Sequence, residues 1–483
     1  TGRWAGGIRT RTTPPPARPM RVTGGTPPTV DTQVDDCERR RWSAWRVGLG
    51  LTLPLAAVVL MWVLLAWRRN ILDEGGTVFV GAAPLMGRWR LDFKPEFVVA
   101  VVLGLALLVW WPPLVRRLAW NRLLPGSWLV SLGWTLAINM HGGWRRLGAP
   151  LDSRQDYLYT ARNTVTDPFD FLRTFTRELR TYPIHVQGHP PGPVLGLEAL
   201  ERLGISGASG SALVLVGIAC LASPLVLIAV RALVDESEAR RVAVFVGLTP
   251  SVIWVATSVD AVFAAVAVAS GTALALAAVR SGAWHGDDRA RSNPWAGGAM
   301  AMLGGLLAGL LAHGTYGAAL FLVPTALCLV VLARHRRWAP VGLALFAAAL
   351  PTLLMAGAGF WLLDGLRGTV EAYHDGVASQ RPAGFFRLSN PLALAISIGP
   401  VVLAALPGKR RVGAWILVGG ALAGLAVAEM SGLSKGEVER IWLPFVPWLT
   451  VATGAIPLRW QRGALGVQLV SGLAMAVMLG SPW

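Results

Sequence analysis

Two carboxylates four positions apart, in Leu151-Asp152-Ser153-Arg154-Gln155-Asp156-Tyr157, are the residues in this chain whose types and spacing first point to chemistry. On a helix Asp152 and Asp156 would share a face. A shielded carboxylate in that place can take the proton from an attacking hydroxyl as general base. The plainer reading of the same residues is a solvated helix start with Asp152 as its N-cap. Further on, Asp167-Pro168-Phe169-Asp170 precedes Phe171-Leu172-Arg173-Thr174-Phe175. That order reads as an N-cap, a first-turn proline and an amphipathic turn, so Asp167 is a cap and the helix is expected to lie in a membrane interface.

A third group is Tyr182-Pro183-Ile184-His185-Val186-Gln187-Gly188-His189-Pro190-Pro191-Gly192-Pro193. The prolines fix φ and remove backbone donors, which presents His189 on a stiff turn before a helix starting near Val194. A histidine so displayed can hydrogen-bond a carboxylate or phosphate, or bind a metal. The same residues also make an ordinary proline-rich helix entry. His189 and Asp156 could hold a divalent ion, but two ligands so far apart in sequence form no recognisable site, and no cofactor is expected. Asp260 and His313 sit in apolar stretches where a charge costs at least ~2.5 kcal/mol near a helix centre. Each faces a cavity near a span end or is satisfied by an interhelical hydrogen bond.

The elements that must position these groups follow from composition. Of 483 residues 54% are hydrophobic and only 15% charged, with a mean hydropathy of +0.51. Soluble domains carry about a quarter charged residues. Apolar runs able to cross about 30 Å of hydrocarbon recur along the chain, and in lipid such runs must be helices. They cover approximately 47–67, 97–115, 127–140, 210–233, 241–257, 259–279, 297–312, 315–333, 339–363, 391–407, 413–430, 442–457 and 464–480. The expected fold is an all-α polytopic bundle of about 11–13 transmembrane helices over residues 42–483. A long polar segment over 141–209 carries the interfacial helices. Residues 1–41, rich in Arg, Pro, Thr and Gly, are expected to be a disordered tail. No signal-peptide cleavage pattern is evident near the first residues.

The net charge of +17 would suggest nucleic acid in a soluble protein, but the arginines sit in short clusters between apolar runs. No nucleic-acid partner is expected. Arg116/Arg117/Arg122, Arg240/Arg241, Arg289/Arg291, Arg334/Arg336/Arg337, Lys409/Arg410/Arg411 and Arg459/Arg462 all fall on one side when the spans are threaded. The positive-inside rule makes that side, and the N-terminus, cytoplasmic in a multi-pass plasma-membrane protein. Arg68 and Arg69 are the exception, placed for snorkelling or for a phosphate. Most acids, including Asp152 and Asp156, then lie outside. Cys37, Cys220 and Cys328 are too scattered for a disulfide framework or a thiolate metal site.

An acidic group followed by Tyr157, a long outer loop and then His189-Pro190-Pro191 before a helix resembles the GT-C superfamily of membrane glycosyltransferases. The pattern is closest to the protein O-mannosyltransferases and lipid A aminoarabinose transferases. Ser258-Val259-Asp260-Ala261-Val262-Phe263 is similar to their Ser-Asp-Ala-Leu-Phe run. Glu439-Arg440-Ile441-Trp442-Leu443-Pro444 is similar to their late Glu-Arg segment. The resemblance covers roughly residues 150 to 450. It implies transfer of a sugar from a polyprenyl-phosphate donor, with inversion, to a glycan, lipid or protein acceptor in the cell envelope. Asp156 would be the catalytic carboxylate and Asp152 the other member of the pair. Arg440 and Lys435 would bind the donor phosphate, with Glu439, Tyr157, His189, Asp260 and His313 around the cavity. Asp73, adjacent to Glu74 after the first span, is the reserve candidate for the catalytic acid. Gly192 stands where that family carries Leu. The rival readings are a transporter or flippase for lipid-linked or hydrophobic cargo, which predicts acids at mid-membrane and broken spans in two matching halves, and an inactive assembly subunit.

Overall fold

The computed structural model describes residues 1–2, 44–256, 258–284 and 293–481, with side chains from residue 50 onward. Apart from its first two residues, the tail expected over 1–41 lies outside the described residues, as do Cys37 and the Arg289/Arg291 cluster.

The protein is an all-α, multi-pass membrane-embedded bundle. Among the described residues, eight helices are long and apolar enough to cross a bilayer: Gly50–Asp73, Phe97–Arg117, Ala208–Leu233, Asp260–Arg280, Pro294–Ala312, Trp338–Gly357, Ala383–Ala405 and Val412–Ser431. Trp120–Asn139 and Leu458–Met478 reach comparable lengths with more polar sequences. The run expected over 127–140 is therefore only the C-terminal part of a 20-residue helix. The first span is the least covered. It meets the start of Ala383–Ala405 through Leu64, Phe385 and Phe386, while Leu55, Val58, Val59 and Trp62 stay exposed on the outside, as lipid-facing residues must.

Two apolar runs expected as spans, 241–257 and 442–457, are not continuous helices. The first is the C-terminal end of Glu236–Ala243, an irregular stretch and the single turn Val252–Val255. Gly247 adopts φ +77°, and a Cβ there would stand 2.5 Å from the Ser131 hydroxyl, so the chain turns where only glycine fits. The second run is broken into 3₁₀ and short α pieces around Pro444 and Pro447. Broken backbone deep in an apolar bundle must find partners, and it does. At the kink of Ala383–Ala405, where Gly399 has φ +81°, Gln468 donates to the Ile398 carbonyl at 2.7 Å and the Ser251 N–H to Ser397 O at 2.9 Å.

Contacts between connections define two ends of the bundle. At one, Arg240 donates to the carbonyls of Val115 and Leu118 at 2.6 and 3.0 Å, capping the C-terminus of Phe97–Arg117, and Arg241 donates to Gly454 O at 2.8 Å. Arg411 pairs with Asp235 at the same end. At the other end, the short strands Arg88–Trp89 and Leu479–Gly480 pair antiparallel, and the Gly192 N–H donates to His313 O at 3.1 Å. The 141–209 segment lies at this second end. Its helix Pro168–Glu178 is capped by Asp167, whose Oδ1 accepts from the Asp170 N–H at 2.8 Å, as the sequence implies. The apolar face of that helix is not left for lipid, since Phe175 stacks on Tyr182 and meets Phe360 edge-on.

Pro294–Ala312 and Trp338–Gly357 pack closely where Gly305 and Gly309 face the second helix. A Cβ at Gly305 would come within 2.0 Å of Ala344 O, and one at Gly309 within 2.3 Å of Ala348 O. Such close backbone approach drives helix association where lipid removes the hydrophobic incentive. Gly305→Leu is expected to destabilise the detergent-solubilised protein by about 1–3 kcal/mol through overpacking, read as a lowered melting temperature, whereas Gly342→Leu, with open space around it, is expected to melt like the parent.

Candidate functional site

Residues 151–156 form turns rather than a helix, so the expected shared face of Asp152 and Asp156 does not exist. Helix Tyr157–Asn163 begins one residue later, and Asp156 rather than Asp152 is its N-cap: Oδ1 accepts from the Tyr157 N–H at 2.7 Å. Asp152 points to solvent and pairs with Arg162 at 3.6 Å, away from Asp156. Asp73 and Glu74, at the end of the first span, are exposed.

Capping turns Asp156 inward. Its second oxygen, Oδ2, faces His185 Nδ1 at 3.4 Å, and both side chains are nearly buried. The next residue, Tyr157, is fully buried and its hydroxyl lies 2.9 Å from His189 Nδ1. Burial, reinforced by Asp260, pushes the Tyr157 phenol well above its ordinary range, so it is a neutral hydrogen-bonding group. His189 Nδ1 also lies 3.0 Å from the His185 carbonyl. A carbonyl only accepts, so Nδ1 carries the hydrogen and Nε2 is the nitrogen turned to Asp260, 3.8 Å from Oδ1. Phe263, one turn into the span from Asp260, stacks on the His189 ring with centroids 5.9 Å apart. The one-turn helix Ile184–Gln187 and the Pro-Pro turn hold both histidines in place, and the helix after them starts at Gly192, close to the expected position. A Cβ at Gly192 would lie 2.2 Å from His313 O, which is why no leucine fits there.

Asp260 closes the cluster from the bundle side. It is 2% exposed, starts the helix Asp260–Arg280, is bonded by the Ser258 hydroxyl, and meets Arg440 Nη1 at 2.9 Å. Arg440 is in turn 3.6 Å from Glu437, whose other oxygen lies 3.1 Å from Arg381. Burial alone would pull the Arg440 guanidinium down, but Asp260, Tyr157 and Glu437 outweigh it and hold the pKa above its usual value. Arg381 donates to the Lys435 carbonyl at 2.5 Å, and Lys435 Nζ to Ser379 O at 3.1 Å, so Lys435 is drawn to the rim. Glu439 points the other way. Its Oε1 accepts from the Met86 N–H at 2.8 Å, which fastens the 74–96 connection to the late segment, and burial pushes its carboxyl up to about 7.

Of the residues singled out in the sequence, Asp156, Tyr157, His189, Asp260 and Arg440 meet in one cluster. Lys435 and Glu439 border it, and Asp152 does not join it. His313 accepts from the Gly192 N–H through its carbonyl, and its Nε2 lies 3.1 Å from Thr352 Oγ1. His185, Glu437 and Arg381 complete the network although nothing in their sequence context singled them out. His185 is four residues before His189, one helical turn, which is the signal that could have marked it. Among the described residues no group of three or more His, Cys, Asp or Glu is arranged to hold a metal ion. Cys220 and Cys328 are buried and free.

No protein-family model matches the chain, and no curated protein matches it.

Two outcomes are expected from the site's electrostatics. Asp260→Asn leaves the buried Arg440 short of its closest counter-charge and should cost about 3–5 kcal/mol, measured by chemical or thermal unfolding in detergent. The raised Glu439 carboxyl favours the folded protein fully below its ordinary value of 4.5, and that contribution is lost as pH rises through about 7. Melting temperature should therefore fall between pH 4.5 and 7, and Glu439→Gln, which keeps an acceptor for the Met86 N–H without a titrating group, should flatten that part of the profile.

Proposed function

We propose that the chain is a membrane glycosyltransferase that moves a sugar from a polyprenyl-phosphate donor to a cell-envelope acceptor, with Asp156 as general base. The observation that carries the reading is the convergence of Asp156, Tyr157 and His189 from the 141–209 segment on Asp260 and Arg440, from far along the chain, at one end of the bundle. In the sequence these elements stand in the order that resembles GT-C enzymes.

Charge distribution supports an extracytoplasmic site and a cytoplasmic N-terminus in the plasma membrane. The opposite end carries Arg116, Arg117, Arg240, Arg241, Arg334, Arg336, Arg337, Arg410 and Arg411, while Asp235, Glu236 and Glu238 are its only acids among the described residues. By the positive-inside rule that end faces the cytoplasm. The outer end then receives a donor from the outer leaflet. The cluster lies at span ends rather than at mid-span, which is less suited to a carrier with central binding groups.

In this reading the acceptor hydroxyl gives its proton to Asp156 as its oxygen bonds to the anomeric carbon, and the bond from that carbon to the phosphate oxygen breaks with its electron pair on the phosphate. Asp156 is prepared for the step: one oxygen is held by the Tyr157 N–H and the other is turned to His185. Arg440, kept charged by Asp260, together with Arg381 and Lys435, supplies the positive field that a leaving phosphate needs.

The test is sugar transfer by membranes bearing the chain, supplied with radiolabelled polyprenyl-phosphate sugars. Asp156→Asn should lower incorporation by at least about a hundredfold without changing expression or melting temperature, whereas Asp152→Asn should leave it near the parent level. Equal incorporation by the parent and Asp156→Asn, or donor-independent movement of cargo across the membrane, would overturn the reading.

A further inference from the structure

We infer that the surface of the 141–209 segment next to Asp156 is a saccharide-binding groove, so that the acceptor is a hydroxyl-rich glycan rather than a protein or a lipid; this rests on the transferase reading above. A hollow of about 490 Å³ lies between helix Tyr157–Asn163, through Tyr159 and Thr160, and the stretch from Thr181 to Gln187. That volume falls within the roughly 300–1,000 Å³ of small-molecule sites. Two of its lining residues directly precede site residues in the chain: Gln155 stands before Asp156 and Ile184 before His185. A second hollow of about 280 Å³ shares Thr164, Thr181 and Tyr182 with the first and continues along helix Pro168–Glu178 past Asp167, Asp170 and Glu178. The two make one elongated depression, one end of which is lined by Gln155, the residue before the candidate base.

Its chemistry selects the occupant. Arg154 is the only basic residue among those that line it, so it lacks the paired cations that a phosphate headgroup requires. Amides, hydroxyls and carboxylates line too much of it for an acyl chain. What remains is suited to sugar rings, whose apolar C–H faces lie on aromatic rings while their hydroxyls exchange hydrogen bonds with amides and carboxylates. Tyr159 is 40% exposed and offers its ring. The Gln187 amide nitrogen is committed to Tyr182 O at 2.7 Å, which leaves its oxygen as an acceptor. Thr160 is 1% exposed and lines the groove, and its hydroxyl, unlike most buried polar groups, has no hydrogen-bond partner within the protein. A peptide acceptor would instead call for unpaired backbone at a strand edge or for apolar side-chain pockets, and the depression offers neither.

Saturation-transfer NMR on the full chain in detergent tests this with neutral linear gluco- and manno-oligosaccharides, from disaccharide to hexasaccharide, against a Ser/Thr-rich peptide. Oligosaccharides should bind with affinity that rises with length, and the peptide should not bind. Tyr159→Ala should weaken binding by roughly tenfold and Thr160→Val should weaken it as well, with melting temperatures unchanged, while Tyr159→Phe binds like the parent. Peptide binding that exceeds oligosaccharide binding, or equal saccharide binding by Tyr159→Ala and the parent, overturns the assignment. Asp156→Asn separates the two ideas. Saccharide binding by a protein whose parent form transfers no sugar keeps the groove and removes the transferase reading, and transfer without saccharide binding does the reverse.

Discussion

The carboxylate of Asp260 and the guanidinium of Arg440 meet at 2.9 Å with almost no access to water, and the arrangement of this end of the bundle depends on that contact. Removing two charges from water is expensive, and only close opposite charge with further hydrogen bonds offsets it. Ser258 supplies a hydrogen bond on the Asp260 side, and Glu437 supplies charge on the Arg440 side. The pair therefore forms only when the start of one span and the connection after another are both in place, and His189 of the 141–209 segment lies 3.8 Å from it. Once they are, Tyr157 and His189 are fixed, and with them the orientation of Asp156.

The rest of the bundle is built to allow such a meeting. Glycines at 305 and 309 let two spans touch backbone to backbone, and Gly192 lets the proline turn sit on the carbonyl of His313. Where the chain leaves helical geometry inside the apolar region, side chains repair it, as Gln468 does at the Gly399 kink. At the opposite end Arg240, from Glu236–Ala243, caps the carbonyls that end Phe97–Arg117, and Arg241 donates to Gly454 O.

The proposed chemistry uses the division this creates. A charged, sealed pair lies on the bundle side, a carboxylate and two histidines lie at the junction, and an open groove with neutral and acidic lining lies on the loop side. Phosphate chemistry and acceptor recognition would then occupy different faces of one site, each in the dielectric it needs.

Helical class, the membrane as solvent and the clustering of arginines between apolar runs were legible in the residues, because hydropathy and charge act locally and sum along the chain. Asp167 as a cap and the turn that presents His189 were legible for the same reason: proline and short polar side chains impose backbone geometry within a few residues. The false pairing of Asp152 with Asp156 came from assuming a helix where the chain makes turns, and the spans expected over 241–257 and 442–457 came from hydropathy, which does not register that glycine and proline break a helix whose neighbours can satisfy the freed groups. Which charge meets which was decided only by the fold. His185 against Asp156, Glu437 between Arg381 and Arg440, and Glu439 on the Met86 backbone join residues far apart in the chain, and a buried polar group takes whatever partner packing brings within reach.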